Sequence, residues 1–308
     1  MEESKSGIGL SLQSERCRLK YPLLPMSDTF LPESAVTLVQ AALLEDVGSG
    51  DLTSEFFVPE NSVTKARIFA KEGGVTAGAD VARYVFEAVD PTLSVHLERH
   101  DGVPFEPGDT ILQVAGRTRS ILTAERTSLN FLQRLCGIAT QTRRHVEAVR
   151  PHPVKILDTR KTTPGWRLLE KHAVKCGGGT NHRIGLYDMV MVKDNHLLAD
   201  DRQEDLQAAI RAVHQKHPRV RIELEADTLE QVERFLKLEG VDVILLDNMP
   251  PDVIREAVSL VNKRVLLEAS GGITLDTLPQ YAATGVDAIS IGALTHTVRA
   301  LDLSLELL

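Results

Sequence analysis

The 308-residue chain is 43% hydrophobic and 25% charged, with a formal net charge of -8, which predicts a soluble globular protein with a sizeable core and room for two domains. The acidic balance excludes nucleic acid as the main partner, because phosphate neutralisation needs a basic face; a small anionic ligand stays open, since it feels local charge. No apolar run is long enough to span a membrane, and Cys17, Cys136 and Cys176 form no CxxC pair, so neither a disulfide framework nor a structural zinc site is expected and a reducing, cytoplasmic setting is the default.

Residues 1–32 mix Glu2, Glu3 and Glu15 with Lys5, Arg16, Arg18 and Lys20 and lack the apolar stretch of a signal peptide, so they are expected to be a flexible extension. From Glu33, the spacing of Val36, Val39, Leu43 and Leu44 predicts an amphipathic helix that stops near Gly48. Residues 62–70 and 110–114 read as strands, residues 80–88 as a helix and Pro107-Gly108 as a turn, together a small α+β unit. A long helical pattern follows through Phe131, Leu135, Ile138, Thr142, Val146 and Val149, with Cys136 on its apolar face. His145 and His172 are expected at the surface.

From residue 154 short apolar runs alternate with helix-length stretches. The runs are 154–157, 189–192, 220–224, 241–246, 264–267 and 288–291, and the later helical patterns lie at 203–216, 228–239, 251–262 and 274–284. Such alternation predicts a parallel sheet buried on both faces. Nearly every run ends in a polar residue: Asp158-Thr159-Arg160-Lys161, Lys193-Asp194, Glu225, Asp247, Glu268-Ala269-Ser270 and Gly292. Polar groups collected at strand C-termini point to the active face of a β/α barrel, although an open doubly wound sheet would also bind there. About six strands are visible against the usual eight, so the barrel is expected either to be incomplete or to use a further strand that the pattern does not mark.

Residues 158–196 concentrate cations within an acidic chain. Arg160, Lys161 and Lys193 directly follow strands and suit carboxylate or phosphate recognition, as does His182-Arg183 beyond the flexible triple glycine 177–179. Arg167, Lys171 and Lys175 fall at helical spacing, which is usually a solvated face. Glu225 and Asp247 end successive strands and suit magnesium, which prefers carboxylates together with substrate phosphates; pairing with a neighbouring cation is the plainer alternative. Glu223 shares the face of Glu225, one layer lower in the barrel. Ser270-Gly271-Gly272 and Gly292-Ala293-Leu294 follow the last strands, where barrels often hold a phosphate.

Several segments together resemble the quinolinate phosphoribosyltransferase family. They are Thr-Arg-Lys-Thr-Thr-Pro-Gly (159–165), Gly-Gly-Gly-Thr-Asn-His-Arg-Ile-Gly-Leu (177–186), Lys-Asp-Asn-His (193–196), Glu-Arg-Thr-Ser-Leu-Asn (125–130), Leu-Leu-Asp-Asn-Met (245–249), Glu-Ala-Ser-Gly-Gly-Ile (268–273) and Glu-Asp-Val-Gly-Ser-Gly-Asp-Leu-Thr-Ser (45–54). The resemblance implies an N-terminal α/β sandwich domain at 33–135, an incomplete α/β barrel at 136–294, and helical residues 295–308 packing back on the first domain. It implies a pentosyltransferase of NAD biosynthesis that joins quinolinate to phosphoribosyl pyrophosphate with magnesium, in a homodimer whose sites are shared. Arg126 of the partner subunit, with Thr159, Arg160, Lys161, His182, Arg183 and Lys193, would hold quinolinate. Lys161, Glu225 and Asp247 would carry the catalytic charge, with Glu225 and Asp247 at the ribose and the magnesium–pyrophosphate unit. Ser270, Gly271, Gly272, Gly292, Ala293, Leu294 and His296 would hold the 5′-phosphate.

Other functions share parts of this pattern. A nicotinate-specific relative needs fewer cations; a phosphosugar isomerase or lyase would use Lys161 or Lys193 as a base but has no use for clustered arginines; a non-catalytic binder need not keep Glu225 and Asp247.

Overall fold

The computed structural model describes residues 31–193 and 203–308. Residues 1–30 of the expected extension, and Asp194, Asn195 and His196, lie outside the described residues. Helix α1 (Glu33–Val47) buries Ala35, Val39 and Leu43, and the short α2 (Leu52–Phe57) starts at Asp51, whose side chain accepts a bond from Ser54 N at 3.0 Å. Then come β1 (Val63–Ala70), β2 (Gly74–Val75), α3 (Ala79–Val89), β3 (Ser94–Leu97), β4 (Pro104–Phe105) and β5 (Thr110–Arg117). β1 alternates, with Ala66, Ile68 and Ala70 buried, so one face of its antiparallel sheet packs on the helices and the other meets solvent. Helix α4 (Thr118–Ala148) has 31 residues, roughly 46 Å, and runs unbroken through the position expected to divide the domains. Its buried Ile121, Leu129, Leu132, Leu135 and Ile138 join the cores of both halves.

The second half alternates strands and helices: β6 (Lys155–Leu157), α5 (Arg167–Cys176), β7 (Met189–Val192), α6 (Gln203–Lys216), β8 (Arg221–Ala226), α7 (Leu229–Phe235), β9 (Val243–Asp247), α8 (Pro251–Val261), β10 (Leu266–Ser270), α9 (Leu278–Ala282), β11 (Ala288–Ser290) and α10 (Ala293–His296). The six strands pair in parallel in the order β6-β11-β10-β9-β8-β7. Val243–Leu246 of β9 is buried throughout, as expected of a strand covered on both faces. All six strands line one axial cavity of about 390 Å³, so the sheet curls round a common interior. It stays open between its edges β6 and β7, where Thr180 bridges to Leu157. The barrel is therefore incomplete.

Three expectations change. The C-terminal residues are not a helix beyond His296; Leu303–Leu307 form strand β12, which pairs antiparallel with β1 at the sheet edge. Leu303, Leu305 and Leu307 recur at period two, which suits a strand, and Glu306 meets Arg67 Nε at 2.5 Å across the pair. Lys171 is not solvated: it is 1% exposed and ion-paired to the fully buried Asp158. His145 is buried and bonds the Gln141 carbonyl at 2.8 Å through Nδ1.

Candidate active site

At the C-terminal ends of the barrel strands lies a cavity of about 740 Å³. Thr159, Arg160 and Lys161 enter it from the end of β6, His182 and Arg183 from the segment before β7, and Lys193 from the end of β7. Glu225, Asp247 and Ser270 enter from β8, β9 and β10. Gly271, Gly272, Gly292, Ala293 and His296 complete the rim. Strand register explains the layering: Glu225 and Glu268 both pair with Leu245, whereas Asp247 pairs with Ser270 above them and Glu223 with Val243 below.

The cations are held by a buried frame. Asp158 accepts the Lys171 ammonium, Asn181 Nδ2 at 2.6 Å and His182 N at 2.9 Å, so one carboxylate ties the end of β6 to the His182 segment. Arg167 donates to Thr162 Oγ1 at 3.0 Å and to the Ile184 carbonyl at 3.2 Å, joining the same two segments. Glu170, fully buried, accepts Arg134 Nη2 at 2.7 Å and Thr163 N at 3.1 Å. Asp188 accepts Ile184 N at 2.7 Å and Gly185 N at 2.8 Å. Such support fixes cations before an anion arrives, and preorganised charge is what electrostatic catalysis uses.

Charge is concentrated here. Burial and the neighbouring Arg160 pull the Arg183 guanidinium below its ordinary value, and Arg160 Nε is buried without a hydrogen-bond partner. His182 Nε2 lies 3.1 Å from Glu223 and 3.4 Å from Glu268. Burial lowers the basicity of this ring, but the two glutamates outweigh it and push His182 up to about 9. Burial, opposed by His182, raises Glu223 above the usual carboxylate range, so the trio keeps a proton among them.

The glycine loops are built for close approach. A Cβ on Gly271 would lie 2.1 Å from Asn248 Oδ1, and the residue has φ 96°; Gly272 has φ 60° with open space beside it. A Cβ on Gly292 would press at 3.0 Å on both Lys161 Cδ and His296 Nε2. Thr295 Oγ1 donates to the Lys161 carbonyl at 2.8 Å, locking that loop to the first cation segment.

Among the described residues, two groups of three could hold a metal: His182–Glu223–Glu268 inside the barrel, and Asp101–His172–Cys176 elsewhere. Glu225 and Asp247 belong to neither, and Glu225 is ion-paired with Lys193. Two carboxylates at an open rim fit a magnesium ion carried mainly by phosphate oxygens, not one caged by protein.

Family models match nearly all of this architecture: residues 51–136 match the N-terminal domain, and residues 138–306 the C-terminal domain, of quinolinate phosphoribosyl transferase. The chain belongs to the quinolinate phosphoribosyltransferase family. It is 44% identical over 269 residues to a probable nicotinate-nucleotide pyrophosphorylase (carboxylating) of Bacillus subtilis, covering 87% of this chain and 92% of the relative. It is 41% identical over 286 residues to quinolinate phosphoribosyltransferase (decarboxylating) 1b of Nicotiana tabacum, covering 88% and 81%. The solved nicotinate-nucleotide pyrophosphorylase of Francisella tularensis superposes with a TM-score of 0.84 at 36% identity, covering 91% of this chain and 98% of that one.

Within this family member, two expected site residues do not reach the cavity of their own chain. Arg126 is exposed on α4, away from the rim. Leu294 is fully buried, so its loop lines the cavity through Gly292, Ala293 and His296 instead. The triple glycine also differs from its expected use: a Cβ at Gly177 would meet the Ala139 carbonyl at 2.4 Å, and one at Gly179 would meet Val174 at 2.7 Å, so these residues serve helix packing. The sequence placed Glu268 among the polar strand ends without a site role, and Asn248, Thr274 and Ser290 were not expected as lining residues. Glu268 carried a usable signal, since it lies two residues before Ser270 and so shares its face.

Proposed function

We propose that the chain joins quinolinate to phosphoribosyl pyrophosphate, giving nicotinate mononucleotide, pyrophosphate and CO2, in NAD biosynthesis. The observation that carries this is one cavity in which five cationic side chains face two rim carboxylates and two glycine loops. A single carboxylate does not need Arg160, Lys161, His182, Arg183 and Lys193; a diacid does.

The cations orient the pyridine so that its nitrogen faces the anomeric carbon, which removes much of the entropic barrier. Glu225 and Asp247, which line the same cavity, meet the ribose hydroxyls and stabilise the positive charge that develops as pyrophosphate leaves. Magnesium, when bound with the substrate, neutralises the leaving pyrophosphate. The loops at Ser270–Gly272 and Gly292–Ala293, with His296, offer backbone donors and a cation to the 5′-phosphate. Once the ring nitrogen is quaternary, the adjacent carboxylate departs as CO2 and the carbanion left behind takes a proton.

The working unit is a homodimer in which Arg126 of the partner subunit completes the cation set. Its support is the exposure of Arg126 on α4 and of Phe56 and Phe57, 75% and 84% exposed, on the adjoining α2. Leu186 and Tyr187, 74% and 78% exposed, offer an apolar counterpart on the segment that also carries Arg183. Large exposed apolar side chains of this kind mark contact surfaces. No helix of the described residues is long and apolar enough to cross a membrane, and a cytoplasmic setting belongs to the same proposal.

The test follows quinolinate loss and nicotinate mononucleotide formation with phosphoribosyl pyrophosphate, with and without magnesium. Magnesium-dependent turnover of quinolinate supports the function, and turnover of nicotinate in its place overturns the substrate.

A further inference from the structure

Asp101, His172 and Cys176 come together outside the catalytic cavity, and none of them lines it. His172 and Cys176 lie one turn apart on the same face of α5, while Asp101 comes from the loop between β3 and β4 of the N-terminal half. His172 Nε2 lies 2.7 Å from Asp101 Oδ2 and 3.4 Å from Cys176 Sγ, and all three donor atoms fall within 4.8 Å of one another.

A cysteine nucleophile triad would use opposite ring nitrogens, one toward the thiol and one toward the carboxylate. Here a single nitrogen faces both, so the donors converge on one point. Convergence of carboxylate, imidazole and thiolate on one point is what a tetrahedral ion requires, with bonds of about 2.0–2.3 Å and ligand separations of roughly 3.3–3.7 Å. The Cys176–His172 separation already matches, and a small outward rotation opens the Asp101–His172 pair. Asp101 is oriented from behind: its Oδ1 accepts Ala79 N at 2.9 Å and its Oδ2 accepts Gly78 N at 3.0 Å, at the start of α3. Backbone support of this sort is what fixes a metal-ligating carboxylate.

The geometry points to a site for a zinc-class divalent cation formed by Asp101, His172 and Cys176, with its fourth position left to water. Binding displaces the proton that His172 Nε2 shares with Asp101 and the Cys176 thiol proton, both to solvent, and leaves the imidazole with its proton on Nδ1. The ion clamps the β3–β4 loop to α5, the helix that also carries Lys171 and Arg167 beneath the cation segments. It thus joins the two halves of the chain at a point outside the catalytic cavity.

Cobalt(II) is the probe for the chelator-treated full-length chain. The expected result is one ion per chain, a thiolate-to-cobalt charge-transfer band in the near ultraviolet and tetrahedral visible bands that zinc bleaches. Cys176→Ser should lose the charge-transfer band, and His172→Gln should weaken cobalt binding by roughly tenfold or more. Zinc should raise the melting midpoint of the parent protein and leave that of Cys176→Ser unchanged. A cobalt spectrum without a thiolate band in the parent protein overturns the site, even if either variant fails to fold. A band that survives in folded Cys176→Ser overturns it as well, since another thiol is then the ligand.

Discussion

Replacing Lys171 by Met keeps most of the side-chain volume but removes the ammonium that pairs with Asp158. Lys171 is 1% exposed and Asp158 is fully buried, and after the change Asp158 keeps only the neutral donors Asn181 Nδ2 and His182 N. Breaking a buried pair by removing one partner costs about 3–5 kcal/mol, because the other charge is left uncompensated. At roughly 2 °C per kcal/mol for a chain of this size, the melting midpoint should fall by about 6–10 °C. Burial already raises Asp158 above the usual carboxylate range against the pull of Lys171, and losing Lys171 raises it further. The penalty is therefore full above that raised value and shrinks as pH falls through it, because a protonated Asp158 carries no orphan charge. The same carboxylate orients the His182 segment, so KM for quinolinate should rise with the loss of stability. Thermal melts at about pH 7.5 and about pH 5, with steady-state kinetics, test both parts. A midpoint shift below about 2 °C that does not change with pH would refute the assignment of Asp158 as a charged anchor.

Lys161→Ala should lower kcat on the order of 10²–10³-fold without changing the melting curve, since Lys161 is exposed at the rim; a loss below about tenfold contradicts its role. Gly271→Ala should destabilise by about 1–3 kcal/mol because its Cβ meets Asn248 at φ 96°, whereas Gly272→Ala should cost only about 1 kcal/mol yet raise KM for phosphoribosyl pyrophosphate; melts and kinetics on the pair separate packing from ligand space. Mixing inactive Arg126→Ala and Lys161→Ala subunits should restore part of the activity, and mixtures that stay inactive refute the shared site. At Asp90, burial opposes the charge, but hydrogen bonds from Thr92 and Ser120 and the Arg117 guanidinium hold the carboxyl at about 2. A depressed carboxylate stabilises above its unfolded pKa and loses that stabilisation as pH falls toward the folded value, so Asp90→Asn should cost about 2 kcal/mol at neutral pH and little near about pH 2, as read by denaturant titration.

Local pattern was enough for much of this protein. The six apolar runs after residue 154 became the six parallel strands, each displaced by at most a few residues, because a strand buried on both faces must be continuously apolar. The polar residues ending those runs were legible as rim residues for the same reason: Thr159, Arg160, Lys161, Lys193, Glu225 and Asp247 sit where apolar packing stops. Period two also foretold that Glu223 lies below Glu225.

What depended on distant partners was not legible. Lys171 reads as one of three cations on a helix face, and only the fold brings Asp158 beneath it. Leu303–Leu307 alternate at period two, but only the free edge of β1 gives that short pattern a strand to pair with. His182 meets Glu223 and Glu268 because the sheet curls, which brings together strands that no local period relates. The sequence by itself determines which residues are apolar, charged or flexible and at what period they recur, and hence the elements and the chemistry at their ends. The tertiary structure decides which buried charges find partners, because a charge survives in the interior only where another part of the chain, far off in sequence, arrives to meet it.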